Sequence, residues 1–249
     1  MSFDISNNSV LQTACVIEAR SFKYKAKIAS VSPLAKRNDF ELSGSCFLGI
    51  SLENSHFYPQ KLAGILEWIS RRFAQCTVLV GDSIHRLTLQ SVHNLQPPVA
   101  MVAALALGER FMRENQPVFD RFSTATRFRF LTCHGVQAQV GYQYFHRQLL
   151  QLYRTDARFN QSVKRFAEHY LRKKFDLLEP SEWARQVAFS ADYFLEEFAI
   201  FACLQQQGHS VMIYPGSFST LSEIAQGLHP LAPEELKALT IVSLCVKGR

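Results

Sequence analysis

An α/β fold, with a parallel sheet covered by helices on both faces, is what this chain predicts, and one strand-helix-strand passage carries most of that expectation. Cys46-Phe47-Leu48-Gly49-Ile50 is an apolar, strand-like run. Pro59 then opens a helix in which Leu62, Ile65, Leu66, Ile69 and Phe73 recur at the spacing of a core-facing stripe. Cys76-Thr77-Val78-Leu79-Val80 is a second apolar run, stopped by Gly81. Joined by short connections, these make a βαβ unit, which requires parallel strands and a right-handed crossover. Length sets the remaining bound: 249 residues at 47% hydrophobic content can bury one good core, so a single domain over 1–249 is expected.

Around that unit the chain reads in order. Residues 1–20 show little commitment beyond a turn at Asn7-Asn8-Ser9, and Lys23-Tyr24-Lys25-Ala26-Lys27-Ile28 alternates as an early strand does. Met1-Ser2-Phe3-Asp4 has neither the basic start nor the apolar core of a signal peptide. The longest apolar run, Val99 to Leu107, falls short of a bilayer span, so a cytoplasmic protein without a membrane partner is expected. Asp82 and Ser83 stand as caps for the helix after Gly81. Pro97-Pro98 begin a helix to about Arg113, and further helices are expected over about Val136 to Leu152, Asn160 to Phe175 and Ser181 to Gln206. Ser210 to Tyr214 reads as a strand ended by Pro215-Gly216, and Leu239 to Val246 as the last. Cys15, Cys46, Cys76, Cys133, Cys203 and Cys245 are scattered without C-x-x-C pairing, which predicts reduced core thiols and no metal site.

Three places suggest chemistry. Ser51 follows the first apolar run and precedes polar turn formers, which sets a hydroxyl at the carboxyl end of a strand, where ligands of open α/β sheets bind. Gly49, two residues earlier, leaves the backbone open to close approach. The second glycine of a G-x-S-x-G elbow is missing, which argues against an ordinary esterase; the plain alternative is a serine that ends a strand and caps a turn. The chain nets +6, yet between Arg110 and Lys174 thirteen basic residues face only four acidic ones, the footprint of a polyanion partner or else of solvated helix faces. Finally, the helix after Pro180 is apolar nearly all round from Phe189 to Phe201 but carries Tyr193 and Glu197 one turn apart, a pairing suited to an ammonium group. Glu196, on a different face, is expected to be the solvated acid.

Gly49-Ile50-Ser51-Leu52-Glu53-Asn54-Ser55, Leu79-Val80-Gly81-Asp82-Ser83-Ile84-His85-Arg86, Tyr193-x-x-x-Glu197-Phe198-Ala199 and Val211-Met212-Ile213-Tyr214-Pro215 together resemble the cyclodipeptide synthases, over about residues 45 to 220. That family takes two aminoacyl-tRNAs and makes a diketopiperazine on a Rossmann-like fold similar to the catalytic domain of tyrosyl- and tryptophanyl-tRNA synthetases, with no ATP signature and no cofactor. The resemblance implies that Ser51 receives the first aminoacyl group, that Tyr193 and Glu197 hold its amine, and that Tyr214 positions the intermediate. It further implies that Phe47, Leu79, Ile200 and Met212 form an apolar first pocket, with Gly49 and Asn54 also at the substrate, and that Arg110 and Arg113 contact tRNA. Pro215 matches one subgroup, the Tyr-Pro type, whereas Asn54 matches the other.

The implied chemistry suits these residue types. An aminoacyl-tRNA ester is already activated, so transfer to a serine needs no ATP and no metal. A second aminoacyl-tRNA then gives a dipeptidyl enzyme, whose free amine closes on its own ester to release the ring; holding amine and ester together is proximity catalysis. No histidine is evidently placed as a base for Ser51: His85 follows a helix start and His56 is near in sequence only. A rival expectation is a non-catalytic tRNA-binding module that uses the same basic face. A monomer is expected.

Overall fold

A computed structural model describes residues 23–172, 178–217 and 219–248. The expectations placed on residues 1–20, on Cys15, and on Lys173, Lys174 and Phe175 lie outside the described residues. The chain runs β1 (Tyr24–Ser32), β2 (Ser45–Ile50), α1 (Pro59–Ser70), β3 (Gln75–Val80), α2 (Asp82–His93), α3 (Pro97–Asp120), β4 (Arg127–Thr132), α4 (Cys133–Gln137) and α5 (Val140–Thr155). It continues through α6 (Ala157–Leu171), α7 (Pro180–Gln206), β5 (Val211–Tyr214), α8 (Ser219–Ala225), α9 (Glu234–Lys237) and β6 (Thr240–Gly248).

The strands form one sheet in the order β1-β6-β5-β2-β3-β4, with β1 antiparallel to β6 and every other neighbouring pair parallel. This is the expected α/β, Rossmann-like arrangement. From β2 the chain steps outward through β3 and β4, then returns by way of α7 to lay β5 on the opposite side of β2. The winding therefore reverses between β2 and β5, and the carboxyl ends of those two strands flank a crevice of the kind that binds ligands in such sheets.

Two apolar layers sandwich the sheet. Cys46, Leu48 and Ile50 of β2 pack with Leu62, Ile65, Leu66 and Ile69 of α1, so the stripe read from sequence is the face that buries. Phe47, on the other side of the same strand, packs with α5, α6 and α7, its ring 5.7 Å from that of Phe201. This alternation is what a strand covered on both faces requires. Among the described residues no helix is long and apolar enough to cross a membrane.

Several elements differ from expectation. β4 was not foreseen, because on an edge strand Arg127 and Arg129 alternate with Phe128 and Phe130 and the stretch reads first as basic. Its two phenylalanines meet the Phe119 ring edge-on at 5.3 and 4.8 Å. The helix expected over 136–152 is two helices, α4 and α5, and α6 begins at Ala157 because the Asp156 carboxylate accepts the Phe159 N–H at 2.8 Å. Asp82 and Ser83 are not caps: Gly81 holds the cap position, and Asp82 Oδ1 instead accepts the His134 N–H at 2.9 Å.

Gly81 is required where it stands. Its N–H donates to the Ile50 carbonyl at 2.9 Å, and a Cβ there would lie 2.8 Å from that same oxygen. Gly81→Ala is therefore expected to lower unfolding free energy by about 1–3 kcal/mol in a denaturant titration, through forced backbone displacement. An unchanged midpoint would show that the β2 and β3 ends separate freely.

Candidate active site

Ser51 is the first residue beyond β2, and Tyr214 is the last of β5. Parallel pairing of Phe47 with Met212 and Leu48 with Ile213 brings these two ends side by side, although they are far apart in sequence. Ser51 Oγ and the Tyr214 hydroxyl share a hydrogen bond of 2.9 Å. Asn54 Nδ2 donates to the same phenol at 3.5 Å, while Asn54 Oδ1 accepts the His56 N–H at 3.0 Å and so caps the short 3-10 turn Ser55–Phe57. The Tyr214 ring rests 5.9 Å from that of Phe57. Burial raises the Tyr214 phenol above its ordinary value, against the lowering effect of Ser51, so it stays protonated across the neutral range.

Ser51, Asn54, Tyr214, Tyr193 and Glu197 line one cavity of about 540 Å³. Tyr193 and Glu197 come from the middle of α7, the helix that roofs the crevice. Glu197 is 7% exposed and its Oε2 has no hydrogen-bond partner among the described residues. Desolvation alone pushes this acid up to about 8. Burial, with the Glu197 charge as the next cause, raises the Tyr193 phenol as well. A buried carboxyl lining the same cavity as a serine hydroxyl is chemically able to receive an amine, since an ammonium there would replace the solvation that burial removed.

Glu196 corrects an expectation. It is as buried as its neighbour, and Arg86 grips it with both guanidinium nitrogens at 2.8 and 2.5 Å, while Gln137 Nε2 donates to it at 2.9 Å. Hydropathy along α7 could not show this, because the compensating cation lies 110 residues away on α2.

Phe47, Leu79, Ile200 and Met212 are all at most 2% exposed and belong to one buried cluster, against which Tyr193 and Tyr214 of the site also pack. Side chains on that face of β2, β3 and β5 pack against α7, which itself carries Ile200. Gly49 is buried likewise; a Cβ there would meet Tyr214 Cδ2 at 3.6 Å and Met212 Cε at 3.8 Å, so it seats the tyrosine ring. Phe166, Phe189 and Phe194, with Tyr170 and Leu171 from α6, give the cavity an apolar wall. Phe166 and Phe194 stack at 4.3 Å. In sequence this wall shows as Phe166 and Tyr170 one helical turn apart and as the all-round apolar stretch that opens at Phe189.

Arg110 lines a smaller cavity of about 190 Å³ that opens from the same Ser51–Asn54 loop, together with Phe111 and Tyr58. Arg113 lies one turn on along α3, and both arginines are exposed. His56, on the rim of the larger cavity, is held below its ordinary value by burial and by Lys61. Among the described residues no group of three His, Cys, Asp or Glu side chains gathers as for a metal ion.

The model of the cyclodipeptide synthase family matches residues 39–243. No curated protein matches the sequence. In fold the chain is similar to a cyclodipeptide synthase from Fluoribacter dumoffii, at 21% identity and a TM-score of 0.77, over 91% of this chain and 99% of that one. It is also similar to a cyclodipeptide synthetase of Mycobacterium tuberculosis whose structure relates such enzymes to type I tRNA synthetases, at 14% identity, TM-score 0.63 and 92% and 94% coverage. A third likeness is to the enzyme of Candidatus Glomeribacter gigasporarum bound to Phe-tRNAPhe, at 13% identity, TM-score 0.58 and 82% and 88% coverage.

Proposed function

The chain belongs to the cyclodipeptide synthase family, and from that premise we propose that it joins two aminoacyl groups taken from aminoacyl-tRNAs into a diketopiperazine, with Ser51 as the covalent carrier. The observation that carries this reading is the placement of one hydroxyl: Ser51 Oγ lies 2.9 Å from Tyr214 on the wall of a cavity that also holds the buried Glu197. Ser51 attacks the ester carbonyl of the first aminoacyl-tRNA, the acyl–oxygen bond to the ribose breaks, and the ribose oxygen leaves with a proton. Glu197 and Tyr193 hold the amino group of the resulting ester. That amine then attacks the second aminoacyl-tRNA, whose ribose oxygen leaves in turn, and a dipeptide remains on Ser51. The new terminal amine closes on the Ser51 ester, forms the second amide bond and frees the hydroxyl.

Each amine must be neutral when it attacks. A carboxyl whose pKa is about 8 is matched to accept that proton near neutral pH. The phenylalanine-rich wall supports an apolar first side chain. Tyr214 directly followed by Pro215 supports the Tyr-Pro subgroup. That a relative is bound to Phe-tRNAPhe supports aminoacyl-tRNA as the partner. Purified protein incubated with a mixture of aminoacyl-tRNAs is expected to release a cyclic dipeptide detectable by mass spectrometry; no such product from any combination would overturn the reading.

Arg110 and Arg113, one turn apart beside the Ser51 loop, are proposed to bind tRNA phosphates. Replacing both with Ala is expected to make the log-log dependence of tRNA binding on salt shallower by about 1.5, at roughly 0.7–0.9 per phosphate contact. A slope equal to the parent's would place the tRNA elsewhere.

A further inference from the structure

The stretch from Gly81 to Arg86 contributes no group to the chemistry above, yet its last two residues touch both halves of the site. α2 is anchored at its first turn: Gly81 N–H donates to the carbonyl that ends β2, Asp82 Oδ1 accepts from the start of α4, and Ser83 Oγ donates to Gln137 Oε1 at 2.6 Å. Gly108 of α3 lies so close that a Cβ there would come within 2.6 Å of Asp82 Cβ. From this fixed base His85 and Arg86 diverge. His85 is buried and its Nε2 meets Glu53 Oε2 at 3.0 Å; the acceptor is a carboxylate, so the imidazole donates. Glu53 is two residues beyond Ser51 and holds a left-handed backbone, with φ of 58°, which an ordinary side chain adopts only when its surroundings impose it. Arg86 reaches the other way and clamps Glu196 with two hydrogen bonds, supported by Gln137. Glu196 immediately precedes Glu197, so the clamp fixes the rotation of α7 that sets Glu197 into the cavity.

We propose that His85 and Arg86 are paired positioning residues, which make α2 a strut that fixes the Ser51 loop and α7 relative to each other, and with them the placement of the Ser51 hydroxyl and the Glu197 carboxyl. Their relative placement matters because an α-amino ester carries its nitrogen and its carbonyl carbon on one atom, so the groups that hold the two must keep a fixed relation. The inference rests on Ser51 as the acyl carrier.

The test uses the full chain, with kcat and KM for cyclic dipeptide formation from aminoacyl-tRNA read beside the melting temperature. Glu53 has a half-exposed side chain, so Glu53→Ala is expected to melt as the parent does. It should nevertheless lose kcat by roughly ten- to a hundredfold, with KM nearly constant, as misplacement by about an ångström does. Glu53→Gln, which still accepts from His85, should restore most of that loss. On the other arm, the double change Arg86→Met with Glu196→Leu removes the clamp without stranding a buried charge, and a similar fall in kcat is expected. If that protein does not fold, Arg86→Lys, which keeps the charge but not the two-pronged grip, decides the arm by the same reading. Parent-like kcat in these variants, in a protein that loses its product with Ser51→Ala, overturns the strut alone. Failure of Glu53→Gln to rescue overturns the His85 arm. A parent that makes no product overturns the acyl-transfer reading and the strut with it.

Discussion

Ser51→Ala is expected to abolish both the acyl-enzyme and the cyclic product, with a fall of at least about a thousandfold, as loss of a covalent nucleophile does. Intact-mass spectrometry after incubation with aminoacyl-tRNA separates this from a general loss of binding. The parent should gain the mass of one amino acid less water, and the variant should gain nothing while still retaining tRNA. The fold is not at stake, since Ser51 lies outside β2 and the one described hydrogen bond of its side chain is to Tyr214. An adduct that survives in Ser51→Ala would move the nucleophile to another side chain. A parent that binds tRNA and never acquires an adduct, even with the reaction stopped by acid, would favour a non-catalytic binding module.

Glu197→Gln should separate stability from activity. The acid is pushed up to about 8 from an ordinary 4.5 because burial penalises its charged form. The folded protein therefore holds this proton more tightly than the unfolded chain does. Its contribution to stability is fully present below about pH 4.5 and is lost as the pH rises through 8, a difference on the order of 5 kcal/mol. Gln cannot ionise and escapes that loss. At pH 9 the variant should melt higher than the parent by roughly 10 °C, given the usual entropy of unfolding for a chain this size, and at pH 4.5 the two should coincide. Activity should move the opposite way, falling by about a hundredfold or more, because a neutral amide can neither neutralise an ammonium nor accept its proton. A constant melting difference across the pH range would mean that the carboxyl is solvated in the folded state, and the amine receptor would be lost with it.

The local halves of this site were legible in sequence, and the relation between them was not. Apolar runs around Leu48 and Val78, with a helix stripe between them, specify a βαβ unit because period and length are properties of neighbouring residues. Ser51 at a strand's end and Glu197 in an apolar helix stand out by the same local logic. Glu196 was misread because burial of an acid depends on its partner, and Arg86 is a distant one. Phe47, Leu79, Ile200 and Met212 are apolar in sequence, but that they gather in one buried cluster with α7 follows only from the tertiary packing. The arginines of β4 hid an edge strand whose alternation is half polar.

What the sequence determined by itself is therefore the set of elements and the chemical groups that each carries to its end, since those follow from spacing along one chain. The tertiary structure decided which ends meet: it laid β5 against β2 so that Tyr214 reaches Ser51, and it turned α7 so that one of two adjacent acids is neutralised by Arg86 while the other faces the cavity. The physical reason is that strand order and helix rotation are fixed by contacts between residues remote in sequence, and no local period records them.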